Sequence, residues 1–468
     1  MCNVKNWIKI QTKEQKEKLS FYSYKNKSPD VLLGLFYYIY SMKIEALHKL
    51  FLKHPTVCTD TRKITKDCLF FALKGTNFNG NTFAKDALKK GAKYAIVDDK
   101  QVALNNNYVL VDNALNTLQE LANYHRNYLG LKIIALTGSN GKTTTKELIN
   151  SVLSKKYKTT ATVGNLNNHI GVPLTLLSMN NTTEIGIVEM GANHLKEIAF
   201  LCNIAAPDYG YITNFGKAHL EGFGGIEGVI KGKSELYDYL KANDKLIFVN
   251  ANDAIQLKQL KGYKRYYSFG TNNEANCAIE LVEANPFVIA KYDGSNIESQ
   301  LIGTYNFNNI SAAITIGNYF NVPTNKIKEA IESYVPKNNR SQIINKGSNR
   351  IILDAYNANP TSMKAALENF EKQKGIFKIA ILGDMFELGT DAQKEHQYIV
   401  DLASTMPFNH LILIGENFNK TKIVSPKISA FKSFQDFKTN FDFSQLDNAT
   451  LLIKGSRGMA LERILEML

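Results

Sequence analysis

The sequence predicts an α/β protein of three successive domains. Three observations carry that reading. Short apolar runs of strand composition alternate with helical patterns, the signature of largely parallel sheets covered on both faces. The alternation restarts near Gly130 and again near Asn338, so each stretch supplies its own strands. A glycine-rich loop also lies between a buried strand and an amphipathic helix, where open α/β sheets place anion sites. A chain of 468 residues is long enough to bury several cores.

Taken in order, residues 1–41 stand apart. Lys, Asn, Gln and Ser dominate up to Ser28 and a short apolar patch follows. This stretch is expected to be a disordered extension or a segment upstream of the true start. Met42 to Phe51 carries apolar residues at helical spacing. Leu69–Leu73, Tyr94–Val97 and Tyr108–Val111 read as strands, and Phe83–Lys90 as a helix stopped by Gly91. The polar stretches Thr59–Arg62 and Lys74–Asn81 read as loops. A helix over Leu115–Tyr128 ends this small α/β domain, residues 42–129.

The second domain, 130–337, opens on the apolar run Ile133–Leu136, a buried strand leading into the glycine loop. Further strands are expected at Ile185–Glu189, Tyr209–Thr213 and Lys245–Val249, with a helix from Asn306 to Phe320. In the third domain, 338–468, strands Arg350–Asp354, Lys378–Leu382, His410–Ile414 and Thr450–Lys454 alternate with helices Thr361–Phe370, Ala392–Ala403 and Met459–Leu465. That is a second doubly wound, Rossmann-like sheet.

The loop Thr137-Gly138-Ser139-Asn140-Gly141-Lys142-Thr143-Thr144 is a short phosphate cradle. Gly138 and Gly141 allow the backbone to curl, so that its N–H groups face an anion. Lys142 can reach terminal phosphates, and the Thr143 hydroxyl can ligate magnesium. The strict Walker pattern has a further glycine where Leu136 stands. Glu189 ends one strand and His219 follows the next; together they suit a magnesium site at the sheet's carboxyl edge. Alone, His219 is by default a structural histidine and Lys233 a solvated surface lysine.

The formal net charge is +13, from 56 Lys+Arg against 43 Asp+Glu. The lysines are spread along the chain without a basic stripe or a nucleic-acid motif, so a compositional bias joined to an anionic substrate is favoured over nucleic acid. Five cysteines, Cys2, Cys58, Cys68, Cys202 and Cys277, show no paired spacing. That fits a reducing cytoplasm and argues against a disulfide framework or a zinc site. No apolar run is long enough to span a bilayer, and the N-terminus has no signal-peptide pattern.

Several segments together resemble the Mur ligase family, which makes peptide bonds in cell-wall precursors. They are Thr137–Thr145, Gly164–Pro173, Val188–His194, Ala218–Phe223 and Asn306–Ala313. Asp354–Met363, Leu382–Gly389 and Lys454–Arg457 resemble the member that adds a dipeptide. The Asp-Asn-Pro-Arg segment of the diaminopimelate- or lysine-adding member is not found. The resemblance covers about residues 42–468.

The resemblance implies a first domain that holds the UDP end of the substrate, a central phosphate-loop ATPase domain and a third domain that closes over it. It implies an ATP-dependent ligase joining D-alanyl-D-alanine to UDP-N-acetylmuramoyl-tripeptide through an acyl phosphate, with ATP and Mg2+ as cofactors. Gly138, Ser139, Asn140, Gly141, Lys142, Thr143 and Thr144 would bind ATP phosphates, Asn306 and Asn309 the adenine side, Arg340 a phosphate and Asp354 the ribose. Thr143, Glu189 and His219 would hold metal, helped by Lys233, which aligns with the lysine that the family carbamylates. Lys142, His219 and Lys233 form the implied catalytic set. Asp60, Thr61, Arg62, Lys74 and Gly75, with Phe78–Asn81, match the UDP-facing loops; Asn167, Asn168, Asn357 and Asn359 complete the substrate contacts. Tyr305 stands where many relatives have His, and His169 where Asp is common. A monomer is expected, without nucleic-acid partners or a membrane span. A Mur-type ligase with another amine or acyl substrate, and a non-catalytic nucleotide-binding relative, remain the alternatives.

Overall fold

A computed structural model describes residues 43–375 and 377–468. The expected extension, 1–41, lies outside the described residues. The chain divides into two compact units, the first ending at Thr117 and the second running from Leu118 to Leu468.

The first unit is built on a parallel sheet of β1 (Val57–Cys58), β2 (Leu69–Phe71), β3 (Tyr94–Val97) and β4 (Tyr108–Leu110), in that order. Its core gathers Phe70, Ala72, Ala84, Ala87, Ala95 and Val97. The alanines let the helix Ala84–Lys89 lie close against the strands. Part of the stretch expected to be a loop is instead a small antiparallel hairpin, Lys74–Gly75 paired with Phe78–Asn79. Its residues are exposed, so no inward-facing alternation marks it as a strand pair.

The second unit contains two larger sheets. The central one comprises β5 (Lys132–Thr137), β6 (Thr159–Ala161), β7 (Ile185–Glu189), β8 (Tyr209–Ile212), β9 (Leu246–Asn250), β10 (Tyr266–Gly270) and β11 (Cys277–Ala278). Its order is β11-β10-β9-β8-β5-β7-β6, parallel throughout. Ile133 to Thr137 are all buried, because helices cover both faces, and this is why the strand reads as an unbroken apolar run. From β5 the chain crosses to the edge at β6, returns through β7 and then passes to β8 on the other side. The switch point therefore lies over the carboxyl end of β5, flanked by the ends of β7 and β8. The loop helix Lys142–Leu153 buries Leu148, Ile149 and Val152 in one core with Ala312, Ala313 and Ile316 of the helix Tyr305–Tyr319. A small antiparallel sheet, Glu280–Glu283, Ile289–Tyr292 and Ser295–Glu298, adds to this region.

The second sheet of this unit comprises β12 (Gln342–Lys346), β13 (Asn349–Asp354), β14 (Lys378–Gly383), β15 (His410–Ile414), β16 (Ile428–Phe431) and β17 (Thr450–Lys454), ordered β12-β13-β17-β14-β15-β16. Only the β12–β13 pairing is antiparallel. Asp354, Lys454 and Gly383 thus end three neighbouring strands on one edge. The helix expected at Met459–Leu465 is not an α-helix. It is two 3-10 stretches, Arg457–Met459 and Leu461–Met467, separated by Ala460 at φ +48°. A left-handed residue cannot carry the α-helical bond ladder through. No helix among the described residues is long and apolar enough to cross a membrane.

Candidate active site

In the second unit a cavity of about 690 Å³ lies where the carboxyl edges of the two sheets meet. The phosphate loop forms one wall. Gly138 and Gly141 sit at φ 144° and 79°, and a Cβ would approach Thr213 Oγ1 to 1.9 Å and Asn309 Oδ1 to 2.6 Å respectively. Both glycines are therefore required by backbone angle and by close approach. The loop is tied to the segment after β8. Ser139 Oγ donates to the Gly216 carbonyl at 2.8 Å, the Asn140 N–H donates to Asn214 Oδ1 at 3.1 Å, and Thr213 Oγ1 donates to the Asn140 carbonyl at 2.6 Å. Lys142 Nζ donates to the Gly138 carbonyl at 2.7 Å. Burial lowers its pKa, with Arg340 adding to that effect and the Glu189 carboxylate opposing it.

The expected metal set is partly assembled. Glu189, at the end of β7, is 1% exposed. Its Oε1 accepts from Asn167 Nδ2 at 2.7 Å, while its Oε2 is buried without a partner. A carboxylate oxygen left in that state is costly unless a cation meets it. Glu189, Thr143 and His219 all line the cavity, so this donor set fits a magnesium ion. Among the described residues no group of three or more His, Cys, Asp or Glu forms a metal-binding cluster, so the protein side of the site is sparse.

Lys233 corrects the default reading of a solvated lysine. It is 1% exposed on the helix Ile226–Ala242. Its Nζ donates to the Ala192 carbonyl at 2.9 Å and stands 5.0 Å from the centre of the Phe223 ring. Burial pushes its pKa well below 10.5; Lys142 pushes the same way and Glu197 and Glu235 oppose. Lys233 does not line the cavity, but Ala192, its acceptor, does.

Asn306 and Asn309 are buried between two helices. Asn306 Nδ2 donates to the Ile302 carbonyl and Asn309 Nδ2 to Asn306 Oδ1, both at 2.8 Å, and Thr145 Oγ1 donates to Asn309 Oδ1 at 3.0 Å. The pair thus supports the phosphate loop from behind while lining the cavity. Arg340 stacks 3.6 Å over the Tyr356 ring, and its Nε is buried without a partner. Asp354 accepts the Ser341 N–H at 3.0 Å through Oδ1 and pairs with Lys454 Nζ at 2.6 Å through Oδ2. Asn338, Asn339 and Ser341 around Arg340 are all left-handed, at φ 64°, 56° and 50°.

Asn167, Asn168, Asn357 and Asn359 also line the cavity. Asn168 Oδ1 accepts the N–H groups of Ile170 and Gly171, at 3.1 and 2.9 Å. Asn359 caps the helix Pro360–Lys372 through the Ser362 N–H at 2.9 Å, and its Nδ2 donates to Asn140 Oδ1 at 2.7 Å. Asp60, Thr61, Arg62, Lys74 and Gly75 belong to the first unit. There Arg62 Nη2 pairs with Asp60 at 2.8 Å, and its hydrogen bonds hold the Asp60 carboxyl at about 2. Lys74 pairs with Asp98 at 2.9 Å.

Sequence reading assigned no role to Glu387, Lys454, Tyr356, Lys217 or Glu395. The first three line the cavity, and Lys217 Nζ reaches Glu395 Oε1 at 2.5 Å. Lys454 is 2% exposed. A lysine closing an otherwise apolar strand, Thr450–Lys454, was the one local signal that could have singled it out.

Comparison with known proteins agrees with this architecture. The chain matches three family models: Mur ligase family, catalytic domain, over residues 56–126; Mur ligase middle domain over 136–317; and Mur ligase, glutamate ligase domain over 339–457. The chain belongs to the Mur ligase family. The UDP-N-acetylmuramoyl-tripeptide–D-alanyl-D-alanine ligase of Bacillus subtilis (strain 168) is 35% identical, the match covering 88% of this chain and 92% of that one. A crystal structure of MurF from Acinetobacter baumannii superposes with a TM-score of 0.78 at 30% identity, covering 88% and 93% of the two chains. MurF ligase from Thermotoga maritima in complex with ADP gives 0.75 at 27% identity, covering 89% and 97%.

Proposed function

We propose that this chain is the ATP-dependent ligase that joins D-alanyl-D-alanine to UDP-N-acetylmuramoyl-tripeptide. The observation that carries the proposal is the buried, unpartnered Glu189 Oε2, in a cavity that also presents a phosphate loop and the carboxyl edge of a second sheet. The relatives named above support the choice of substrates.

The charges suit the chemistry. ATP phosphorylates the peptide carboxylate, the dipeptide amine attacks the acyl phosphate, and phosphate leaves from a tetrahedral intermediate. Both partners of the first step are anionic and must be brought together against repulsion. Lys142, Arg340 and the loop N–H groups within 138–144, apart from those of Ser139 and Asn140 that donate to Asn214, would hold ATP phosphates; Asn306, Asn309 and Asp354 would hold the nucleoside. Magnesium, when bound by Thr143, Glu189 and His219, supplies further positive charge at the phosphates. Asn167, Asn168, Asn357 and Asn359 would face the peptide substrates, and Asp60, Thr61, Arg62, Lys74 and Gly75 the UDP end. Lys233 is proposed to be carbamylated: its neutral amine attacks CO2, loses a proton and becomes an anionic oxygen donor. Its burial favours the neutral amine that this step needs. The cavity is lined by residues of one chain, and the enzyme is proposed to act as a monomer in the cytoplasm.

The test is phosphate release from ATP with a panel of UDP-muramoyl peptides and amines. Release is expected only with a tripeptide substrate and D-alanyl-D-alanine together, and Lys142→Ala should slow it by about 10²–10³. Release driven equally by single amino acids would overturn the dipeptide assignment. No release with any pair would overturn the ligase reading.

A further inference from the structure

His219 and Glu387 come from different sheets and meet at the cavity wall. His219 lies in the segment after β8, Glu387 in the segment after β14. Glu387 Oε2 contacts His219 Nδ1. Both residues are left-handed, at φ 54° and 62°. That conformation costs a non-glycine residue roughly 1–2 kcal/mol, so the surrounding structure must hold each of them in place.

The Glu387 loop is anchored on both sides of the contact. Toward the central sheet, the Glu221 N–H donates to the Glu387 carbonyl at 3.3 Å. Within its own sheet, the Phe386 N–H donates to Ser456 Oγ at 2.9 Å and the Met385 N–H to His396 Nε2 at 3.0 Å. His396 is fully buried. The Glu387 side chain is half exposed, but its backbone is fixed on both sides of the contact, which limits where the carboxylate can reach.

An imidazole with a carboxylate at Nδ1 keeps its proton on that nitrogen and leaves the Nε2 lone pair for a cation. We propose that Glu387 is the positioning residue of His219: it fixes the ring's tautomer and plane so that Nε2 serves a divalent cation alongside Glu189. This rests on the ligase reading above, in which His219 is a metal ligand. Because the carboxylate comes from the C-terminal sheet, His219 is oriented only while the two sheets are apposed. The cation site is thereby coupled to their apposition.

The test uses the full chain and its Glu387→Ala, Glu387→Gln and His219→Ala variants, with Mn2+ as the probe. Bound Mn2+ is read by electron paramagnetic resonance in the presence of ADP, and the Mg2+ dependence of phosphate release is measured beside it. Glu387→Ala should weaken Mn2+ binding by about 10–100-fold. Glu387→Gln, which still accepts a hydrogen bond, should fall between, and high Mg2+ should restore much of the turnover of both. In a His219→Ala background, Glu387→Ala should cause no further loss. If Glu387→Ala does not fold, Glu387→Gln carries the same comparison.

Unchanged Mn2+ binding in both Glu387 variants, or losses that add to that of His219→Ala, would overturn the proposal. So would a fall in turnover that is equal at every Mg2+ concentration. The ligase reading fails separately: it falls if the unaltered chain releases no phosphate, whatever the Mn2+ titrations show.

Discussion

Lys233 shows what a single residue contributes. Its amine is buried and feels the like charge of Lys142. Its pKa in the fold is therefore well below 10.5. Between the folded value and 10.5 the unfolded chain binds one more proton than the native chain, so the stability of the fold rises with pH. The contribution is fully present above the unfolded value and is lost as pH falls toward the folded one. Lys233→Met removes this titration while keeping most of the volume. Urea unfolding of both proteins in CO2-free buffer from pH 7 to 10 should show the variant's relative stability falling as pH rises. The slope should approach about 1.4 kcal/mol per pH unit while the native amine is neutral. A difference that stays flat over this range would mean that Lys233 is charged in the fold, and would remove the support for its carbamylation.

At the scale of elements, the turn from β5 into the helix Lys142–Leu153 depends on Gly141. An alanine there would adopt φ near 79° and press its Cβ toward Asn309 Oδ1, which Thr145 already engages. Gly141→Ala should therefore destabilise the protein by about 1–2 kcal/mol and also weaken ATP binding. Gly130→Ala is the matched control. Gly130 is left-handed too, at φ 61°, but nothing lies within 4 Å of its Cβ position. It should lose comparable stability in thermal melts and leave ATP affinity unchanged. Equal ATP affinities for the two variants would show that the Gly141–Asn309 contact does not shape the loop.

The same elements explain what the sequence made legible. β5 could be read because burial on both faces makes it a continuous apolar run. The loop glycines, Glu189 and His219 could be read because strand ends at a switch point are where such sheets put chemistry. β12 was missed because its residues are half polar and only part-buried on a sheet edge. The 3-10 segments near the C-terminus were missed because the turn at Ala460 leaves the apolar spacing of a helix intact. Glu395 had no local pattern to announce it, and the segments that hold Glu387 and Lys454 carried a resemblance but named no role for either residue. Each acquires its partner only when the C-terminal sheet folds, or meets the loops of the central one, and no periodicity within a short window encodes that meeting.

Over the second unit as a whole, the two sheets are tied by a few polar contacts around the cavity. Asn359 Nδ2 reaches Asn140 Oδ1 of the phosphate loop at 2.7 Å, and Tyr305 Oη meets Ser341 Oγ at 2.8 Å. Lys217 makes two further ties: its N–H donates to Thr361 Oγ1 at 3.0 Å, and its Nζ reaches Glu395. Glu395 is 4% exposed, and its second oxygen has no partner. The lysine side chain is about half exposed, so the attraction itself is screened. The larger consequence of removing it is a buried carboxylate with no partner at all, a loss of about 1–3 kcal/mol. Lys217→Ala should therefore loosen the apposition of the sheets without unfolding either one. ATP affinity is expected to fall by roughly tenfold, the equivalent of about 1.4 kcal/mol, with an increase in the radius of gyration measured by small-angle scattering. Adding Glu395→Gln removes the stranded charge and should recover part of both losses. If Lys217→Ala matches the unaltered protein in ATP affinity and scattering, this pair does not hold the sheets together, and the asparagine and tyrosine contacts must do so without it.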